Sequence, residues 1–277
     1  MGKSRKKGSA AKQADRHALY QDAVQTPQFE VDLATRVFRK RVGRKALSLR
    51  EDFCGTALLC SKWVASHKAR TATGVDIDAE VLDWGRVRNV DPLRKAADRV
   101  TLLEQDVRQG GGAPHDVVMA LNYSYFCFKT RPELSEYFVA ARSHLAPDGL
   151  FFLDLFGGWE AQQELKESRK VGSFRYVWEQ ATFNPITADL LAHIHFRFRD
   201  GSRLNKAFTY DWRLWTMPEL RELLAEAGFG YVEVLWEGED HHGHGNGVYR
   251  RARKVHSDPC YNAYLVASVD RPPRAKR

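Results

Sequence analysis

The feature that most constrains this chain is an alternation of short apolar runs with helix-spaced segments, repeated five times between residues 46 and 155. The runs at residues 46–50, 71–77, 100–103, 116–121 and 150–155 read as strands. Between them Leu59, Cys60, Trp63 and Val64 recur at helical spacing, Asp78 stands as an N-cap before Val81, Leu82 and Trp84, and Thr130-Arg131-Pro132-Glu133 forms a capping box ahead of Leu134, Phe138, Ala141 and Leu145. Strands that alternate with helices predict a parallel α/β sheet with right-handed crossovers.

After residue 170 the period becomes two. His193, His195 and Arg197 alternate with Ile194, Phe196 and Phe198, Asp200-Gly201 is a turn, and Phe208, Tyr210, Trp212 and Leu214 alternate beyond it. This predicts an antiparallel insertion over about residues 172–215, covering one end of the sheet. A second capping box, Thr216-Met217-Pro218-Glu219, opens a helix that stops at Gly228. The last two strands are expected at residues 231–236 and 261–266, joined by a glycine- and histidine-rich loop at 238–246. Before the first strand, helical spacing from His17 to Arg41 is divided by Pro27. These signals predict a mostly parallel seven-stranded α/β sheet with an antiparallel β insertion after strand five.

The net charge is +8, but the basic residues sit in the tails: residues 1–16 carry +5 and residues 249–277 carry +6, which leaves the body slightly acidic. Residues 1–16 and 269–277 are expected to be basic tails outside a domain of residues 17–268, the first of them disordered. Such tails attract polyanions, although solvated ends are the favoured expectation. No apolar run is long enough to span a bilayer, the N-terminus lacks the apolar core of a secretory signal, and the four cysteines form no CxxC pair. A reduced, cytoplasmic protein is the expectation.

In an open parallel sheet, ligands bind beyond the C-terminal strand ends. That rule gathers Glu51, Cys54, Gly55 and Thr56 after the first strand, Asp76 after the second, Asp106 after the third, and Asn122 and Tyr123 after the fourth. A carboxylate after strand two suits the two hydroxyls of a ribose, an acid and amide after strand three suit an adenine edge, and a small-residue turn lets backbone approach a ligand.

This arrangement resembles the class I S-adenosylmethionine-dependent methyltransferases. Their first motif is matched by Glu51-Asp52-Phe53-Cys54-Gly55-Thr56-Ala57, their ribose-binding acid by Asp76 in Gly74-Val75-Asp76-Ile77-Asp78, and their adenine-binding acid by Asp106 in Glu104-Gln105-Asp106-Val107. The strand-four motif falls on Leu121-Asn122-Tyr123-Ser124. The resemblance covers about residues 20–268 and implies a doubly wound, mostly parallel seven-stranded sheet with a reversed last strand and an antiparallel β insertion after strand five. It implies S-adenosyl-L-methionine as cofactor, with Ile77 and Val107 beside it, and a small-molecule acceptor under an insertion that serves as a lid. Phe53 and Ala57 stand where the family has the outer glycines of Gly-x-Gly-x-Gly, so the turn is expected to differ in shape at Phe53.

Methyl transfer from a sulfonium is an in-line displacement, so alignment and exclusion of water matter more than a catalytic triad. The expected catalytic residues are Tyr123 and Tyr125 near the emerging methyl group and His195 as a base from the insertion, with Tyr20 closing over the cofactor. A nicotinamide dehydrogenase would want Gly-x-Gly-x-x-Gly for its pyrophosphate, and this turn has one glycine. A base-amino methyltransferase would show Asn-Pro-Pro-aromatic, and Asn122-Tyr123-Ser124-Tyr125 has no proline. The alternatives are an RNA or protein methyltransferase that uses the basic tails, or a non-catalytic binding module. His241, His242 and His244 lack a carboxylate or cysteine at ligand spacing, so no metal is expected.

Overall fold

A computed structural model describes residues 8–241 and 245–270. It divides into two compact units, residues 1–25 with 162–214 and residues 26–161 with 215–277. In chain order the elements begin with α1 (Ala10–Gln13), α2 (Arg16–Val24) and α3 (Pro27–Val42). The alternating part follows as β1 (Ser48–Asp52), α4 (Leu58–Ala65), β2 (Thr71–Asp76), α5 (Ala79–Gly85), β3 (Val100–Glu104), β4 (His115–Ala120), α6 (Arg131–Ser143) and β5 (Leu145–Gly157). Then come β6 (Leu165–Val171), β7 (Phe174–Asn184), β8 (Asp189–Phe198), β9 (Arg203–Arg213), α7 (Met217–Glu226), β10 (Tyr231–Glu239), β11 (Gly245–Ala252) and β12 (Tyr261–Ser268).

The larger unit is one eight-stranded sheet in the order β11-β10-β12-β5-β4-β1-β2-β3. β1, β2, β3, β4 and β5 pair in parallel, whereas β12 runs antiparallel to both β5 and β10. All six residues of β4 are buried, as a strand covered on both faces requires. The core includes Phe38 and Val31 from α3, Trp63 and Leu59 from α4, and Leu49, Val117 and Phe152 from the central strands. The expected caps form: Asp78 accepts from the first turn of α5, and Thr130 and Thr216 make reciprocal boxes with Glu133 and Glu219. Each satisfies amides that a helix start leaves open.

The smaller unit is a four-stranded antiparallel sheet in the order β6-β7-β8-β9. Its apolar side, with Phe174, Ile194 and Phe196, packs with Leu19, Tyr20 and Ala23 of α2. No described helix is long and apolar enough to cross a membrane.

Four expectations are corrected. The sheet of the larger unit has eight strands: β10 runs on to Glu239 and pairs with β11, which starts at Gly245, so both ends of the stretch expected as a loop are strand. Glu237 holds that pairing by accepting from Gly247 N–H at 2.7 Å. The insertion starts earlier, because β6 pairs with β7 along its whole length despite a polar sequence. Of the N-terminal segment expected to be disordered, residues 10–13 are helical: Ala10 N–H donates to Asp200 Oδ2 at 2.8 Å and Ala11 N–H to Ser202 Oγ at 3.0 Å. β1 extends two residues further, which places Glu51 and Asp52 inside the sheet. Residues 1–7 and 271–277 of the tails, together with His242 and His244, lie outside the described residues.

Candidate active site

The turn after β1 takes a left-handed backbone at three positions, two of which carry side chains. Phe53, Gly55 and Ala57 all have positive φ, at 58°, 49° and 53°. Such a conformation costs a residue with a side chain about 1 kcal/mol or more. Phe53 carries that cost. Its ring packs against Tyr137 and Phe128, with centroids 5.5 and 5.9 Å away, and these contacts offset the strain. Cys54 N–H donates to Val75 O at 2.9 Å, tying the turn to β2. Burial holds the Cys54 thiol well above its usual range, so it is a packing residue rather than a nucleophile. A Cβ added to Gly55 would meet nothing within 4 Å, so the turn opens onto space there. On its other side the turn is crowded: a Cβ on Gly85 would lie 2.5 Å from Thr56 O, which also accepts from Asn89 Nδ2 at 2.7 Å.

Asp76 ends β2 beside this turn. One carboxylate oxygen accepts from Gly55 N–H at 2.7 Å and the other from Asp78 N–H at 3.0 Å. Burial raises its pKa, and the amide donors oppose that rise. Ile77 next to it is 69% exposed, an isolated apolar face at the strand end. Gln105 N–H donates to Asp76 O at 2.9 Å, which fixes the end of β3 against that of β2. Asp106 is clasped by Arg108, whose Nη2 donates to Asp106 Oδ2 at 2.6 Å, and this bond holds the carboxyl below its usual range. Val107 is buried, whereas the Asp106 side chain remains 34% exposed.

After β4 two consecutive residues, Asn122 and Tyr123, have φ of 56° and 57°. Their N–H groups both donate to the Asp154 carboxylate, at 2.7 and 3.0 Å. Asp154 on β5 was not among the expected site residues, although a lone acid within the apolar run 150–156 is a signal for it. Burial pushes its pKa up to about 7. Tyr123 is further held by its ring against Phe156, centroids 4.8 Å apart, and by its hydroxyl donating to Asn262 Oδ1 at 2.5 Å. Tyr125 is fully buried and its hydroxyl donates to Asp154 O at 2.6 Å. It braces the loop from below, and the expectation that it faces the reacting groups is corrected.

Glu51 turns inward and accepts from Cys60 N–H at 3.1 Å. Burial pushes its pKa to about 8, with Glu30 and Asp76 adding repulsion, and burial does the same to Glu30, which also feels Asp154. Glu30 on α3 was likewise not expected from the sequence. Burial thus makes Glu51, Glu30, Asp76 and Asp154 reluctant to ionise, with repulsion from Glu30 and Asp76 on Glu51 and from Asp154 on Glu30 adding to it, a strain that a cationic guest would relieve.

Tyr20 and His195 belong to the smaller unit. Tyr20 packs on Phe208 with ring centroids 4.9 Å apart. His195 accepts from Lys206 N–H through Nδ1 at 3.1 Å, and its Nε2 lies 2.6 Å from Glu179 Oε2. Both ring nitrogens are engaged, which leaves neither free to act as a base.

No family model and no curated protein matches this chain by sequence. Solved structures do match its fold. The CcbJ methyltransferase of Streptomyces caelestis is 18% identical with a TM-score of 0.66, over 89% of this chain and 97% of its own. A S-adenosylmethionine-dependent methyltransferase of Clostridium acetobutylicum is 17% identical with a TM-score of 0.65, over 91% and 97%. CalS10 of Micromonospora echinaspora, an amino pentose methyltransferase solved with S-adenosylmethionine, is 15% identical with a TM-score of 0.63, over 91% and 95%. The strand order, the reversed β12 and these likenesses lead to one conclusion: the chain has the fold of the S-adenosylmethionine-dependent methyltransferases.

Proposed function

We propose that the protein transfers a methyl group from S-adenosylmethionine to a small-molecule acceptor. The observation that carries the reading is the convergence of Asp76, Asp106 and the open turn at Gly55 on neighbouring strand ends, backed by the carboxyl set around Glu51. A cofactor with a ribose, an adenine and two cationic centres, the ammonium and the sulfonium, fits each of those groups.

In this reading Asp76 accepts hydrogen bonds from the ribose hydroxyls, and Ile77 and Val107 flank the adenine. Asp106 accepts from the adenine amino group with the lone pairs that Arg108 leaves. Cys54, Gly55 and Thr56 bring backbone to the methionine portion, while Glu51 and Asn122 complete its surroundings. S-adenosylmethionine, when bound, supplies a methyl group on a sulfonium leaving group. The protein's part is to align, to exclude water and to favour positive charge. Tyr123, fixed at three points, presents a rigid edge for positioning an acceptor. The name of CalS10, an amino pentose methyltransferase, supports a small-molecule acceptor.

Incubating the protein with methyl-labelled S-adenosylmethionine and fractionated cell extract tests this. Label in the metabolite fraction is expected. Label only in RNA or protein would overturn the acceptor class.

A further inference from the structure

The polar face of the antiparallel sheet carries a row of cations. Lys170 of β6 pairs with Arg175 of β7, Arg175 with Arg197 of β8, and Arg197 with Arg203 of β9. Directly paired residues share a face, and like charges so placed destabilise a sheet. All four are exposed, and among the described residues none forms an ion pair. Two rows along on the same face the charge is balanced: Lys166 Nζ lies 2.9 Å from Glu179 Oε1, and Glu179 also engages His195.

Beside the row is a hollow of about 390 Å³ lined by Lys166, His195, Arg197, Arg203, Asn205 and Lys206, with no carboxylate among them. Its rim is built at a cost. The register of β8 on β9 jumps from Ile194↔Phe208 to Phe196↔Leu204, and within that bulge Lys206 has φ of 48°. Bulges re-aim side chains, and a strained non-glycine backbone persists where surrounding structure enforces it. Here Lys206 N–H donates to His195 Nδ1 at 3.1 Å, which holds the bulge closed on the sheet.

We propose that the row and its hollow bind a small ligand bearing a multiply charged phosphate group. Neighbouring strands lie about 4.8 Å apart, so four cations span about 14 Å, and arginine forks suit phosphate oxygens. The size of the hollow is that of a small-molecule site. A nucleic-acid strand is disfavoured because the aromatics of these strands, Tyr176, Phe196 and Phe198, alternate to the opposite face, leaving no stacking surface along the row. The site is independent of the methyl-transfer reading.

Calorimetry on the full chain with inorganic tripolyphosphate tests it, with a uridine oligonucleotide as the second probe. Saturable one-to-one binding that weakens with salt is expected. Arg197→Ala with Arg203→Ala should lower the affinity at least tenfold, while Arg250→Ala with Arg253→Ala on the other unit should leave it within twofold. No saturable binding, equal loss in both variants, or tighter binding of the oligonucleotide would overturn the proposal. Arg197→Thr should raise the unfolding temperature in phosphate-free buffer, because it relieves the row. A lower temperature would contradict the repulsion on which the site rests.

Discussion

The two sheets of this molecule handle charge in opposite ways. In the larger unit, strands buried on both faces carry Arg50, Asp52, Glu51 and Asp154 into the interior. There each charge needs a specific partner, and each unpaired carboxyl has its pKa pushed up. In the smaller unit one face is apolar, and the other holds Lys170, Arg175, Arg197 and Arg203 at exposed positions, so these cations accumulate with little penalty from burial. Burial makes a charge a structural commitment in the first sheet, and exposure leaves it available to a ligand in the second.

The sharpest break should come from Arg50. Its Nε lies 2.7 Å from Asp52 Oδ1, and Tyr137 donates to the other oxygen at 3.1 Å. Arg50→Leu strands a buried carboxylate and should cost about 3–5 kcal/mol in urea denaturation. The exposed pair of Lys166 and Glu179 should lose less than about 1 kcal/mol on Lys166→Ala. Gly85→Ala comes next. Its Cβ would sit 2.5 Å from Thr56 O, a backbone atom of the turn proposed to hold the cofactor. A loss of about 1–3 kcal/mol is expected, together with weaker cofactor binding. Phe53 separates packing from strain: Phe53→Ala keeps the left-handed penalty and loses the ring. Phe53→Gly should be more stable than Phe53→Ala by about 1 kcal/mol.

The units should also answer pH differently. Glu30 and Glu51 titrate at about 8 and Asp154 at about 7, all raised by burial. The folded state therefore binds these protons more tightly than the unfolded chain, and stability falls as pH rises through those values. The buried thiols of Cys54 and Cys60, raised the same way, act in the same direction. In the smaller unit the Lys166 ammonium lowers the Glu179 pKa, so that contribution is complete above the ordinary glutamate range and is lost only in acid. Hydrogen exchange between pH 6.5 and 8, corrected for intrinsic rates, should show protection falling in β1 and β5 and steady in β7 and β8.

How far each region was legible in the sequence follows the same divide. The alternation of strands and helices and both capping boxes could be read because buried strands are continuously apolar and helix starts have fixed chemistry, whereas the reversed last strand came from the family resemblance. β6 could not, since its sequence, LKESRKV, is polar on both sides and takes its register from β7. β11 was hidden by Gly245 and Gly247, which read as a loop until Glu237 pairs with them across the two strands. Within the site, Asp76, Asp106 and Asn122 follow from strand-end spacing. Asp154 and Glu30 act across the sheet, and their roles depend on neighbours far away in sequence. The turn at Phe53 shows the limit most clearly: a residue with a side chain takes a left-handed backbone there, and tertiary packing with Phe128 and Tyr137 offsets its cost.

The most direct test of the central claim is calorimetry of S-adenosylhomocysteine binding to the intact chain and to Asp76→Ala, with circular dichroism to confirm folding. Two hydroxyls donating to a carboxylate contribute about 3 kcal/mol together, so the variant should bind about 100-fold more weakly than the saturable one-to-one parent. No binding to the parent, or equal binding to the folded variant, would contradict the assignment of this sheet end to the cofactor.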